Sequence, residues 1–181
     1  MTAAAPAVAK AKANTPHPAY DWRRVAYLVQ VSRALDELEE KVLVPERKVL
    51  YQFSARGHDL AQVLLGTRLT DPNDAACGYY RSRPMLLALG VDIADALGSN
   101  MGRAGGYSDG RDMGVVFNYP NPSGAPALLL VGGVGGQYTP TAGWAQAGGY
   151  RRTVLGRTAW DRAGGVGVRG GGSAPTQGLS L

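Results

Sequence analysis

The chain withholds three things: it has one cysteine, no long apolar run, and no acidic residue before Asp21. The lone Cys77 excludes an internal disulfide framework and fits a reducing compartment, so a cytoplasmic location is expected. A buried small residue is the reading for Cys77, since nothing nearby marks it as a nucleophile. No run approaches the ~18–20 apolar residues that a helical membrane span requires. The longest, Met85–Leu89 and Ala127–Val131, suit a short helix and a buried strand. Residues 1–20, rich in Ala, Pro and Lys, lack the apolar centre of a secretory signal peptide and are expected to form a disordered arm.

A basic face on the folded part is also lacking. The net charge is +5, but Arg151, Arg152, Arg157, Arg162 and Arg169 against the one acid Asp161 put four of those charges beyond Gly148. An RNA-binding role for this basic, glycine-rich tail is one reading. It is disfavoured because Trp160 is the only aromatic past Tyr150, so interleaved stacking platforms are missing. No nucleic-acid partner and no membrane partner are expected.

At 181 residues the chain suits one domain with a sizeable core. Its clearest element is a helix over residues 21–44. Asp21 stands as N-cap, Pro45 ends it, and Val25, Leu28, Val31, Leu35, Leu38 and Val42 recur at spacings of three and four. The acids Asp36, Glu37, Glu39 and Glu40 read as a solvated opposite face. Tyr51 and Phe53, two apart, point the same way if the segment is extended. His58 stands at the entry to a short helix on which Leu60, Val63 and Leu64 share a face. It reads as a ligand or base, or simply as a polar side chain at a helix start. Another helix is expected over residues 91–101, followed by a glycine- and proline-rich loop over residues 102–124. The non-alternating strand Ala127–Val131 runs into the glycine turn GGVGGQ (Gly132–Gln137) and then a helix from Thr139-Pro140 to Ala147. Strand, glycine turn and helix in series predict an α/β fold with mainly parallel strands flanked by helices, binding ligand at strand ends.

The chain is organised around CGYYRSRPMLLALG (Cys77–Gly90). Tyr79, Tyr80 and Arg81 precede Pro84, whose preset φ suits the first turn of a helix. An aromatic–arginine end delivered onto a helix start offers a planar donor fork to a phosphate or carboxylate. The plainer alternative is a strand edge whose Tyr and Arg cover the surface.

The ordered set RGHDLAQ, YYRSRPMLLALG, GRAGGYSDGRDM and VGGVGGQYTPTAGWAQA resembles the alpha chain of the thiamine diphosphate-dependent 2-oxo acid dehydrogenases. These are the decarboxylating first components of the branched-chain, pyruvate and acetoin complexes. The likeness runs from about Arg33 to about Ala147. It implies a partial thiamine diphosphate-binding fold, with residues 21–147 as the amino-terminal part of that domain. Its implied partners are a beta subunit and a lipoyl-bearing acyltransferase. The implied reaction is oxidative decarboxylation of a 2-oxo acid, a branched-chain one by the likeness, with acyl transfer to a lipoyl group. By the resemblance Tyr80 and Arg81 form the cofactor-binding pair, with Arg81 at the diphosphate, while Gly132 and Val134 hold the aminopyrimidine. Tyr51 and Phe53 fall on the substrate side.

The tail departs from the family. There a strand ends in Gly-Asp-Gly, whose aspartate binds magnesium. Here Gly170, Gly171, Gly172 and Ser173 echo its surroundings without an aspartate. No metal ligand and no catalytic residue are therefore assigned, and the isolated chain is expected to be inactive and to bind thiamine diphosphate poorly. Ten of the 34 residues over 148–181 are glycine, a bias that suggests a truncated or out-of-register reading of the ancestral segment. A non-catalytic remnant that keeps a partner-binding surface is the alternative.

Overall fold

The computed structural model describes residues 19–112, 114, 117–128, 132, 133, 135–154, 179 and 180. Its elements run α1 (Trp22–Leu38), a π-helical turn (Glu39–Leu43), α2 (Asp59–Gly66), β1 (Ala76–Cys77), α3 (Arg83–Leu89), α4 (Ile93–Asn100), α5 (Tyr138–Thr153) and β2 (Leu179–Ser180).

Helix α1 begins where its cap dictates. The Asp21 carboxylate accepts from the backbone N–H groups of Arg23 and Arg24 at 3.0 and 3.1 Å. Its buried positions are Val25, Leu28, Val29, Ser32, Leu35 and Asp36, continued by Glu39 and Leu43 in the π turn. This corrects the expected stripe. Leu38 and Val42 are exposed, whereas Asp36 and Glu39, read as solvated, are 1% and 0% exposed. The reason lies in what packs opposite, for α3 brings Arg83 against the two carboxylates. On α2 the expected shared face is also shifted: Val63 is buried, Leu60 is exposed, and Gln62 and Leu65 point inward.

Helix α3 is the centre of the core. All seven of its residues are buried, and Met85 and Leu86 are completely so. Pro84 lies in its first turn, and Gly90 ends it in the left-handed region with φ 107°. Its approach to α2 is set by Gly66. A Cβ there would come within 2.6 Å of the Ala88 Cβ, so only glycine permits this contact. Against this pair pack α1 and the residues Phe117, Tyr119, Ala125 and Ala127. Helix α4 takes Asp92 as N-cap, its carboxylate accepting from Ala94 N–H.

The expected mainly parallel sheet is not found among the described residues, which are rich in helix and have only rudimentary strands. β1 pairs β2 in parallel, Ala76 bridges Ala127 in parallel, and Ala127 bridges Tyr119 antiparallel. β1 is two residues long because the chain turns at once. Ser82 N–H donates to Tyr79 O at 2.8 Å, Tyr79 N–H donates to Ser82 Oγ at 3.0 Å, and Gly78 is packed against Ser82 and Met85. Ala127 is buried as expected of that strand; residues 129–131 lie outside the described residues. The loop after α4 carries its own cluster, with Tyr107 stacked on Phe117 and edge-on to Tyr119. Asn121 closes its far end by donating to Leu89 O and Ala125 O.

Asp74 supplies a pH test of this core. It is 1% exposed, and its Oδ1 has no hydrogen-bond partner among the described residues. Burial pushes its carboxyl above the usual carboxylate range, so the folded chain holds this proton more tightly than the unfolded one. The stability that this proton contributes is present below the ordinary pKa of about 4 and is lost as pH rises through the folded value. Asp74→Asn is expected to raise Tm at pH 7 and to change it little at pH 4. Thermal melts across that range check it.

Candidate functional site

β1 and the turn that ends it deliver Tyr79, Tyr80 and Arg81 to the start of α3. Tyr79 and Tyr80 meet edge to face with ring centroids 5.1 Å apart. Phe53 comes from the irregular segment after the π turn and lies 4.4 Å from the Tyr80 ring. The Arg81 guanidinium stands over both rings, 5.2 Å from Tyr80 and 5.8 Å from Phe53. Arg81 is half-buried, yet its Nε is buried with no hydrogen-bond partner among the described residues. An unmatched buried donor costs about 1–3 kcal/mol, which an anion would recover.

Three of the residues singled out in the sequence are thus brought together: Phe53, Tyr80 and Arg81. Tyr51 is exposed, and no aromatic contact joins it to the cluster among the described residues. Gly132 is exposed, and no atom of the described residues lies within 4 Å of where a Cβ would stand. Val134 lies outside the described residues. Because Ala76 and Ala127 pair in parallel, the segments leading to Gly78–Arg81 and to the glycine turn leave the pair at the same end. His58 is exposed and makes no side-chain capping bond. Cys77 is buried as expected, and burial pushes its thiol upward, against the pull of the Thr141 hydroxyl. It is not an activated nucleophile. Among the described residues no group of three or more His, Cys, Asp or Glu side chains is gathered to hold a metal ion.

Beneath the cluster sits a buried charge group that the sequence reading placed in solvent. Arg83 Nη2 donates to both Glu39 oxygens at 2.7 Å, and its Nη1 reaches Asp36 Oδ1 at 3.5 Å. The other Asp36 oxygen accepts from Ser54 Oγ at 2.7 Å and from Ala55 N–H at 3.0 Å. The Asn100 amide donates to Glu39. A signal for this group was present. Ser32, Asp36 and Glu39 continue the three-and-four spacing of Val25, Leu28 and Leu35 through polar residues.

A separate cavity of about 550 Å³ is lined by Tyr20, Arg24, Arg68, Tyr119 and Asn121 among others, and shares no residue with the aromatic–arginine cluster. Arg68 stacks on Tyr20 there at 3.9 Å. Its lining also includes Asp21 and the last residues of α2 and α3, Gly66 and Leu89, so its two arginines share it with a carboxylate and two helix C-termini. The chemistry of an anion site is therefore more sharply drawn at Arg81.

No helix among the described residues is long and apolar enough to cross a membrane. No family model matches the chain, and no curated protein matches it.

Proposed function

We propose that this chain is the amino-terminal part of a thiamine diphosphate-dependent 2-oxo acid dehydrogenase alpha chain, and that its aromatic–arginine cluster receives the cofactor's diphosphate. The observation that carries this reading is Arg81. Its guanidinium lies against a pair of packed aromatic rings, with a buried Nε that has no protein acceptor among the described residues. A diphosphate oxygen supplies the missing acceptor, and an Arg fork meets phosphate with good geometry. Thiamine diphosphate supplies the chemistry by which a 2-oxo acid loses carbon dioxide before its acyl group passes to a lipoyl arm.

The chain's own residues bind and orient. Tyr80 and Phe53 cover the guanidinium on one side and keep water off it, which strengthens its pull on an anion. Gly132, with no described residue on its Cβ side, offers backbone for close approach by a ring. The beta subunit and the lipoyl-bearing acyltransferase remain the partners of this reading, and its compartment is the cytoplasm. The proposal assigns no magnesium ligand to this chain.

Calorimetric titration with thiamine diphosphate and magnesium, with and without a beta chain, tests the reading. One charge-assisted contact contributes about 1.5–3 kcal/mol, while millimolar affinity already needs about 4 kcal/mol. The isolated chain is therefore expected to bind at millimolar levels or weaker, and Arg81→Gln to abolish what binding there is. Binding that Arg81→Gln leaves unchanged would sink the assignment.

A further inference from the structure

We infer that the buried carboxylates Asp36 and Glu39 are positioning residues for the anion site, joining its two halves; this rests on the reading of Arg81 as the diphosphate-binding group. The halves come from distant parts of the chain. Phe53 arrives on the segment after the π turn, and Tyr80 and Arg81 arrive on the turn before α3. Each half is tied to the same carboxylate pair one or two residues from its functional side chain.

On the Phe53 side, Asp36 accepts from Ser54 Oγ and Ala55 N–H, the next two residues of the chain. On the Arg81 side, Glu39 and Asp36 grip Arg83, two residues on, with the Glu39 contact bidentate. The intervening backbone is closed by the bonds between Tyr79 and Ser82, so a displacement of Arg83 is passed to Arg81. The π turn begins at Glu39 itself. Turns of this kind often accompany functional sites, and here the turn begins at the carboxylate that meets Arg83. Stability alone asks only that the charges be matched. It does not ask that one pair hold both walls of the aromatic–arginine cluster.

The test uses the isotope-labelled full chain. The chain has two phenylalanines, so the Phe53 ring signals are readily assigned. Asp36→Asn is expected to remove the NMR cross-peaks between the Phe53 and Tyr80 rings and to shift the Arg81 Nε–H signal. Inorganic pyrophosphate binding, read in the same spectra, should weaken on the order of tenfold, the size of effect seen when groups that hold a binding side chain in place are removed. Leu35→Ala, on the same buried stripe but touching neither half through a hydrogen bond, should lower Tm while leaving the cross-peaks and the Arg81 signal in place. Ser54→Ala deletes one bond of the link and keeps the question answerable if Asp36→Asn does not fold; partial loss of the same cross-peaks is expected. The inference is overturned if Asp36→Asn or Ser54→Ala keeps the Phe53–Tyr80 cross-peaks, or if Leu35→Ala loses them equally. Pyrophosphate shifts indifferent to Arg81→Gln would instead count against the function proposed above, with the ring cross-peaks still deciding the positioning role.

Discussion

Arg83→Met is expected to cost about 3–5 kcal/mol of stability, the usual loss when one partner of a buried ion pair is removed. For a domain of this size that is roughly 10 °C in Tm. The cost comes less from the lost bonds than from what is left behind. Glu39 and Asp36 stay buried without the cation that matched them. Burial already pushes the Glu39 carboxyl above its usual range, against the pull of Arg83 and Asn100. Without Arg83 it rises further, and Glu39 takes up a proton in the folded state. The folded variant then binds more protons than the unfolded chain, so its stability falls as pH rises through and above the ordinary carboxylate range. Denaturant melts should therefore show a larger deficit at pH 7 than at pH 5. The double variant Glu39→Met, Arg83→Met should recover part of the loss, since an apolar pair of similar volume removes one of the two unmatched carboxylates and leaves Asp36 with its bonds from Ser54 and Ala55. A double variant as unstable as Arg83→Met alone would mean that packing, not charge, sets the cost.

Met85→Ala is the second large effect, at about 2–5 kcal/mol. Met85 is fully buried in α3, its terminal methyl lies against Gly78, and its carbonyl faces Gly66. The cavity opens where α2, α3 and the turn after β1 converge, and the glycines that fit them together cannot move in to fill it. Met85→Leu keeps most of the volume and should cost less than about 1.5 kcal/mol. Chemical denaturation of the three chains gives both numbers. Near-equal losses for Ala and Leu would show that the methionine's shape, and not its volume, is what the core requires.

The contrast between these two sites explains what could be read ahead of the structure. The start of α1 at Asp21, of α3 near Pro84 and of α4 at Asp92 was legible because caps and helix-start prolines act on their own neighbours. The candidate site was legible in part, because Tyr80 and Arg81 are adjacent and Phe53 stood out as an aromatic on an extended segment. The polar stripe of α1 was legible only as spacing, with Ser32, Asp36 and Glu39 in line with the apolar face. Whether Asp36 and Glu39 face solvent or core depends on Arg83, 47 and 44 residues away, and no local pattern announces that partner. The expected strands suffered from the same limit. A run such as Ala127–Val131 declares itself apolar, but the bridge of Ala127 to Ala76 joins residues 51 apart, which no local pattern announces.

The separation of that charge group along the chain has a consequence during synthesis. At about 5–20 residues per second, Glu39 leaves the ribosome some 2–9 s before Arg83 does. Over that interval the inner face of α1 is part apolar and part anionic, and Ser32, Asp36 and Glu39 remain hydrated. Those charges that are costly to bury later keep the nascent helix from gathering prematurely with its own neighbours. Their desolvation is deferred until Arg83 arrives, and contacts of this sequence span form slowly. The finished core thus carries, matched to Arg83 and out of water, the carboxylates that are hydrated while the first helix waits for it.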